Sequence, residues 1–160
     1  MTCAIAEVFM DNNDNKKYEA LKLGVQLCFP LYACAKETVR LYKPYLDELD
    51  LTYTQYIAML ALWEHEKLTV KELGKKLYLD SGTLTPLLKK LETKGLLKRE
   101  RSREDERNLF ILLTEEGIAM KDKALHIPYE MVKCVELDDE EKVVLYKLLY
   151  KLLSHVKQED

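Results

Sequence analysis

This sequence predicts a mainly α-helical fold with one small β element, and three observations predict it. There are only five glycines and four prolines in 160 residues, and 33% of the residues are charged, a mixture that favours helices. Helix-start signals recur ahead of apolar stripes of helical period. Only between Leu96 and Leu113 does the pattern change, to two strand-like runs, Leu96 to Arg101 and Asn108 to Leu113, joined by the charged segment Ser102 to Arg107. A hydrophobic content of 48% is enough for a real core, and the length suits one domain or a pair of lobes.

Residues 1–17 have no clear period and contain DNNDN, so they read as a flexible N-terminal arm. Tyr18 to Tyr45 is mostly helical by pattern: Leu27, Leu31, Cys34 or Ala35, and Thr38 or Val39 recur at helical spacing. Pro30 interrupts this pattern and Pro44 marks its end. If the helix starts at Pro30, Cys28 lies at its N-terminus, where free amide protons and the helix dipole favour a negatively charged sulfur. Leu51 to His65 is a second helix, opened by the capping box Thr52 and Gln55, with Tyr56, Met59, Leu60 and Trp63 as its stripe.

Thr69 with Glu72 is another capping box, so a helix starts at Val70, with Leu73 and Leu77 inward. The chain turns at Tyr78 to Ser81, and Asp80 or Ser81 caps the next helix. There Leu84, Leu87, Leu88 and Leu91 form one buried stripe, Pro86 sits in the second turn, and Gly95 ends the helix. Thr114 caps a further helix that begins with Glu115 and Glu116, runs toward His126 and breaks or kinks at Pro128. Asp138 or Asp139 caps the last helix, whose stripe is Leu145, Leu148, Leu149, Leu152 and Val156.

From Thr69 to Thr114 the order is helix, tight turn, helix with a polar outer face, and basic ribbon, which is a winged helix-turn-helix, a device for reading DNA. Eight basic and five acidic residues lie between Lys89 and Arg107, a local charge of +3 in a chain whose net charge is −3. Positive charge is placed here against the average, as phosphate contacts require. The recognition-helix candidates are Ser81, Thr83, Thr85, Lys89 and Lys90: short hydroxyls for close approach to base edges and phosphates, lysines for phosphates. Arg99, Arg101 and Arg103 are candidates for the DNA backbone, and Arg107 for the minor groove, with Asp105 orienting its guanidinium. The blander alternative is a helical hairpin and a β-hairpin with solvated charges, with Asp105 and Arg107 merely bracing the wing. Double-stranded palindromic operator DNA demands a two-fold partner, because recognition helices must stand about one DNA turn, roughly 34 Å, apart.

The architecture predicted is therefore one domain over 18–160. Its winged-helix lobe, 51–114, is flanked by dimerisation helices at 18–45 and 115–157, and the protein is a homodimer. No basic-then-apolar leader opens the chain and no apolar run reaches membrane-spanning length, so a cytoplasmic protein without membrane contact is expected. Cys3, Cys28, Cys34 and Cys134 lack Cys-x-x-Cys spacing, and the three histidines lie far apart. No metal or cofactor is expected, and His65, between Glu64 and Glu66, reads as a solvated helix end.

The order of elements, with Asp105-x-Arg107 in the wing, resembles the MarR family of bacterial dimeric regulators. The run from LCFPLYACAKETVRLYKPYL through LYLDSGTLTPLLKKLE is similar to the OhrR branch, the organic-hydroperoxide repressors, and to staphylococcal one-cysteine regulators. The similarity is strong from about Leu27 to Gly117 and loose in the C-terminal helices. It implies that Cys28, in the LCF motif, is a redox sensor. It also implies that tyrosines of the second subunit, at the positions of Tyr42 and Tyr53 with Tyr32 nearby, hydrogen-bond its sulfur. A phenol that donates to a thiolate stabilises the form that attacks a peroxide. Organic hydroperoxide is then the signal: the reduced dimer represses, and oxidation of Cys28 to a sulfenic acid, captured by another thiol, releases DNA. One-cysteine members use a small cellular thiol or a sulfenamide, and two-cysteine members a second protein cysteine. Cys134 is close to where the latter carry theirs. Cys34, six residues from Cys28, is too far round and along a helix for easy bridging.

Other readings compete. A lone cysteine in an apolar helix is commonly an inert thiol. A cleft lined by Tyr32, Tyr42, Tyr53 and Tyr56 could instead hold an aromatic or fatty ligand that releases DNA. A thiol peroxidase using Cys28 is a third reading, against which stands the definition of the DNA-reading stretch. A winged helix used only for protein contact is a fourth, which the basic wing tip disfavours.

Overall fold

The computed structural model describes residues 18–65, 67–101 and 109–156. The expected N-terminal arm, residues 1–17, lies outside them. Two compact units divide between Leu125 and His126.

Two short 3-10 turns, Glu19–Leu21 and Leu23–Val25, precede the first helix, α1 (Cys28–Leu41). The helical stretch expected from Tyr18 to Tyr45 is thus broken twice. Pro30 falls in the first turn of α1, where its missing N–H costs nothing; an earlier start would have needed that N–H for the Gln26 carbonyl. Pro44 does not simply end the helix. It is the second residue of a new one, α2 (Lys43–Glu48), and the break falls at Tyr42, because Pro44 cannot donate to the Arg40 carbonyl.

The centre of the first unit is α3 (Tyr53–Glu64). Its expected capping box is present: the Gln55 N–H donates to Thr52 Oγ1 at 3.3 Å, and the Thr52 N–H donates to Gln55 Oε1 at 2.9 Å. The helix buries Tyr56, Ala58, Met59, Ala61 and Leu62. Leu60, expected in the stripe, is 41% exposed, and Leu62 takes the inward place. A helix packed on several sides buries a wider arc than one stripe.

β1 (Lys67–Thr69) leads directly into α4 (Val70–Leu77), where Thr69 and Glu72 form the second capping box. Each such cap is worth about 1 kcal/mol. Tyr78 closes α4 in the left-handed region, at φ 55°, and the Leu79 N–H donates to the Gly74 carbonyl at 3.0 Å. The turn works because Gly74 has no side chain: a Cβ there would sit 2.8 Å from the Leu79 carbonyl oxygen and 3.0 Å from Leu84 Cδ1. α5 (Ser81–Thr93) follows, capped by Asp80, with Leu84, Leu87, Leu88 and Leu91 buried as the spacing predicts. Truncating any of these leucines that is fully buried should cost about 2–5 kcal/mol. Gly95, at φ 73°, turns the chain out of α5.

β2 (Leu97–Arg101) and β3 (Leu109–Leu113) form the expected ribbon, with Arg99 opposite Ile111. The sheet, however, has three strands, in the order β1-β3-β2, all antiparallel. Leu68 opposite Ile111 puts both inward, and both are buried. Thr114 then caps α6 (Glu115–Ala124), its hydroxyl accepting from the Gly117 N–H at 3.0 Å.

In the second unit, Pro128 again starts a helix rather than merely breaking one: it lies in the first turn of α7 (Ile127–Lys133). Asp138 caps α8 (Asp139–Val156) through a reciprocal pair with Glu141, at 2.8 and 3.0 Å. No residue of α1 or α8 is buried.

Candidate nucleic-acid interface and cysteine site

The burial of its leucine stripe points the other side of α5 outward. Ser81, Thr83, Thr85, Lys89 and Lys90 are all exposed, so every recognition-helix candidate stands clear of the core, Thr83 and Thr85 on opposite flanks of the outward side. The start of that surface is fixed by Asp80. Its Oδ1 accepts from the Thr83 N–H at 2.9 Å, and its Oδ2 accepts from the Thr83 hydroxyl at 2.8 Å. These bonds, the backbone one foremost, hold the Asp80 carboxyl below the usual aspartate range. One turn on, the Thr85 hydroxyl donates to the Ser81 carbonyl at 2.8 Å. Gly82 is part of the same arrangement, since a Cβ there would lie 2.9 Å from Asp80 Oδ1.

Two cations counted toward the basic surface are committed within the chain. Arg99 donates through Nε and Nη2 to Glu92 Oε2, at 2.8 and 2.5 Å, while its backbone N–H reaches Glu92 Oε1 at 3.2 Å. The guanidinium holds the Glu92 carboxyl below the usual glutamate range. Arg99 therefore clamps β2 onto the end of α5. Lys94 is bonded to the carboxylate and carbonyl of Asp50. Lys89, Lys90, Lys98 and Arg101 stay exposed, with no ion pair among the described residues. Arg103, Asp105 and Arg107, at the wing tip, lie outside the described residues. At the wing base, Lys67 Nζ stands 3.7 Å above the Phe110 ring, a cation–π contact that the sequence reading missed along with β1. Three residues of strand are too few to carry a period. Asp80 and Glu92 were also missed as organisers of this surface, although Asp80 was read as a cap and Glu92 counted among the charges.

α1 starts at Cys28, two residues before Pro30, which is earlier than the start on which the dipole argument rests; Cys28 is its first residue and is exposed. Tyr32, one turn on, is 63% exposed. Tyr42 and Tyr53 lie together: their rings are 5.0 Å apart at 63°, and Tyr42 is 5.8 Å from Tyr56. Burial pushes up the phenols of Tyr42, Tyr53 and Tyr56, the last to about 12. All three thus remain O–H donors at neutral pH. Cys34 and Cys134 are also exposed free thiols. Cys134 ends α7, with its Sγ 3.5 Å from the Glu130 carbonyl.

The family model described as transcriptional regulator SarA/Rot matches residues 40–124. The organic hydroperoxide resistance transcriptional regulator of Bacillus subtilis is 50% identical over 144 residues, 90% of this chain and 98% of that protein. Among solved structures, reduced AbfR bound to DNA aligns with a TM-score of 0.73 and 35% identity, over 89% of this chain and 99% of the other. AbfR, a Staphylococcus epidermidis protein, has also been solved in a disulfide-formed state, which aligns with a TM-score of 0.63 and 33% identity over 90% of this chain and 98% of the other. The fold of this chain is thus similar to that of AbfR.

Proposed function

The chain belongs to the MarR family of winged-helix transcriptional regulators, and from that premise we propose that it binds palindromic operator DNA as a homodimer and leaves it when an organic hydroperoxide oxidises Cys28. The observation that carries the reading is the exposed thiol at the first residue of α1, in a chain half-identical to an organic hydroperoxide resistance regulator.

On the DNA side, α5 enters the major groove with Ser81, Thr83, Thr85, Lys89 and Lys90. Arg101 and Arg103 approach the sugar–phosphate backbone, and Arg107, oriented by Asp105, enters the minor groove. Arg99 serves this surface by holding the wing to α5 through Glu92.

On the sensor side, the Cys28 thiolate attacks the terminal oxygen of the hydroperoxide. The O–O bond breaks, the alkoxide leaves and takes up a proton as an alcohol, and the sulfur becomes a sulfenic acid. A second thiol then attacks that sulfur, expelling water and forming a disulfide. Cys134 of a second copy is the candidate for this step. Tyr42, Tyr53 and Tyr32 are the candidate donors to the sensor sulfur across the dimer, and burial keeps the phenols of Tyr42 and Tyr53 protonated for that task. The reaction is a stoichiometric signal in the cytoplasm, not a turnover.

The test is operator binding by gel shift on the DNA upstream of the gene, before and after stoichiometric organic hydroperoxide, for wild type and Cys28→Ser. Release of wild type and retention of the variant are expected; identical behaviour of the two would sink the sensor role. A covalent dimer on a non-reducing gel that survives Cys134→Ser would remove Cys134 from the mechanism.

A further inference from the structure

We propose that Thr83 and Thr85 read the operator as hydrogen-bond acceptors, each accepting a hydrogen bond from the exocyclic amino group of a cytosine or adenine in the major groove, while Ser81 supplies the donor contact. The inference rests on the operator-binding reading above and specifies which base chemistry that surface takes.

A threonine hydroxyl has one proton to give and two lone pairs to receive with. In both threonines the destination of that proton is settled by a neighbour that can only accept. Thr83 Oγ1 lies 2.8 Å from Asp80 Oδ2, an ionised carboxylate. Thr85 Oγ1 lies 2.8 Å from the Ser81 carbonyl oxygen. Thr93, further along the helix, makes the same bond to the Lys89 carbonyl at 2.9 Å. What Thr83 and Thr85 present outward is therefore lone pairs and a methyl group.

A phosphate oxygen only accepts, so to meet one either threonine must first surrender its bond inside the protein. Guanine N7 and O6 and thymine O4 pose the same difficulty. The major-groove groups that suit an acceptor are cytosine N4 and adenine N6. Two residues apart on a helix is a rotation of about 200°. Thr83 and Thr85 thus lie on opposite flanks of the exposed face and meet different base pairs. Ser81 differs from both: its hydroxyl makes no hydrogen bond among the described residues, so its proton is available to a phosphate or a base acceptor. The short hydroxyls of α5, alike in the sequence, are thereby divided into two acceptors and one donor.

The experiment uses the full-length reduced protein and operator duplexes in which one adenine at a time is replaced by purine, or one cytosine by 2-pyrimidinone. Each replacement deletes a single amino group. Affinities are measured for wild type, Thr83→Val and Thr85→Val, which keep the shape and lose the oxygen, and for the matching serine variants, which keep the oxygen. For each threonine, one amino deletion is expected to weaken wild type about fivefold and to have no further effect on the valine variant, with the serine variant behaving as wild type. Valine variants as sensitive as wild type to every amino deletion would overturn the proposal. So would a threonine-dependent loss that maps to a phosphate replaced by methylphosphonate. If wild type binds no operator DNA at all, the operator reading itself fails, and this inference with it.

Discussion

A methyl group on Gly117 would be placed 2.0 Å from the carbonyl oxygen of Leu96, well inside contact distance and against backbone that no rotamer can move. The same residue accepts a hydrogen bond from Trp63 Nε1 at 2.8 Å, and the Leu96 carbonyl takes the Thr114 N–H at 3.2 Å. α6 is thus seated on the turn before β2 by a contact only glycine permits. Gly117→Ala should lower stability by about 3 kcal/mol or more, through displacement of the first turn of α6. Gly95→Ala, whose Cβ would meet open space but whose φ is 73°, should cost only about 1–2 kcal/mol. Urea midpoints of the two variants check the ranking, and the reverse order would refute the close-contact argument. The two glycines also mark what was legible at this scale. Gly95 is legible as a helix stop because its reason is local. Gly117 passed unremarked because its reason is Leu96, far from it in the sequence. The caps Thr52, Thr69, Asp80 and Thr114 were legible for the same reason as Gly95: each acts on its own backbone three residues away.

Among elements, the wing and α5 are coupled by Glu92 and Arg99, whose side chains retain 35% and 24% exposure. The pair is partly solvated, so its worth is about 1 kcal/mol and not the figure for a dry interior. Because the folded Glu92 carboxyl lies below its ordinary value of 4.5, the stabilisation is complete above that value and is lost as pH falls through the lower, folded one. Glu92→Gln should therefore be less stable than wild type by about 1 kcal/mol at pH 7, with the gap closing below about pH 4. Denaturation at a series of pH values reads this directly, and a gap independent of pH would exclude the ion pair as its source. The same geometry separates two arginines that look equivalent in the sequence. Arg101→Ala should reduce the slope of log affinity against log salt by about 1, as loss of a phosphate contact does. Arg99→Ala should lower stability instead. Equal salt slopes for Arg101→Ala and wild type would remove Arg101 from the interface. Sequence reading gave Arg99, Arg101 and Arg103 one role because charge is visible in a sequence and an ion pair across a turn is not. It likewise misses β1, whose three residues acquire a strand conformation only by pairing with β3, and it reads Pro44 as an end and Pro128 as a break or kink because a proline closes one helix and opens another with the same missing N–H.

At the scale of the whole molecule, the described chain leaves two long amphipathic helices uncovered, each within its own unit. α1 exposes Leu31, Tyr32 and Val39; α8 exposes Leu145, Leu148, Leu149, Leu152 and Val156. The periodicity of both stripes was plain from the sequence, but what meets them was not, because the covering surface is not part of one chain's spacing. An 18-residue helix with no buried residue gains too little from its own backbone to be stable in water, and an apolar stripe of this length is the mark of a surface made for another. If the operator is two-fold, as proposed above, a second copy is the partner that it demands. The dimer can be tested on α8 alone. Leu148→Glu removes an apolar side chain from the stripe, whereas Lys147→Glu changes a charge on the opposite side of the same helix. If a second copy covers the stripe, Leu148→Glu sediments as a monomer at about micromolar concentration and Lys147→Glu sediments with wild type as a dimer. The melting temperature of wild type should also rise with protein concentration, since association stabilises the folded chain by mass action. Operator affinity of Leu148→Glu should fall by a factor of about 100 or more, because two half-sites are then bound independently instead of through one tethered pair. A monomeric wild type, or a Leu148→Glu protein that remains dimeric, would mean that the stripe is covered by something other than this chain.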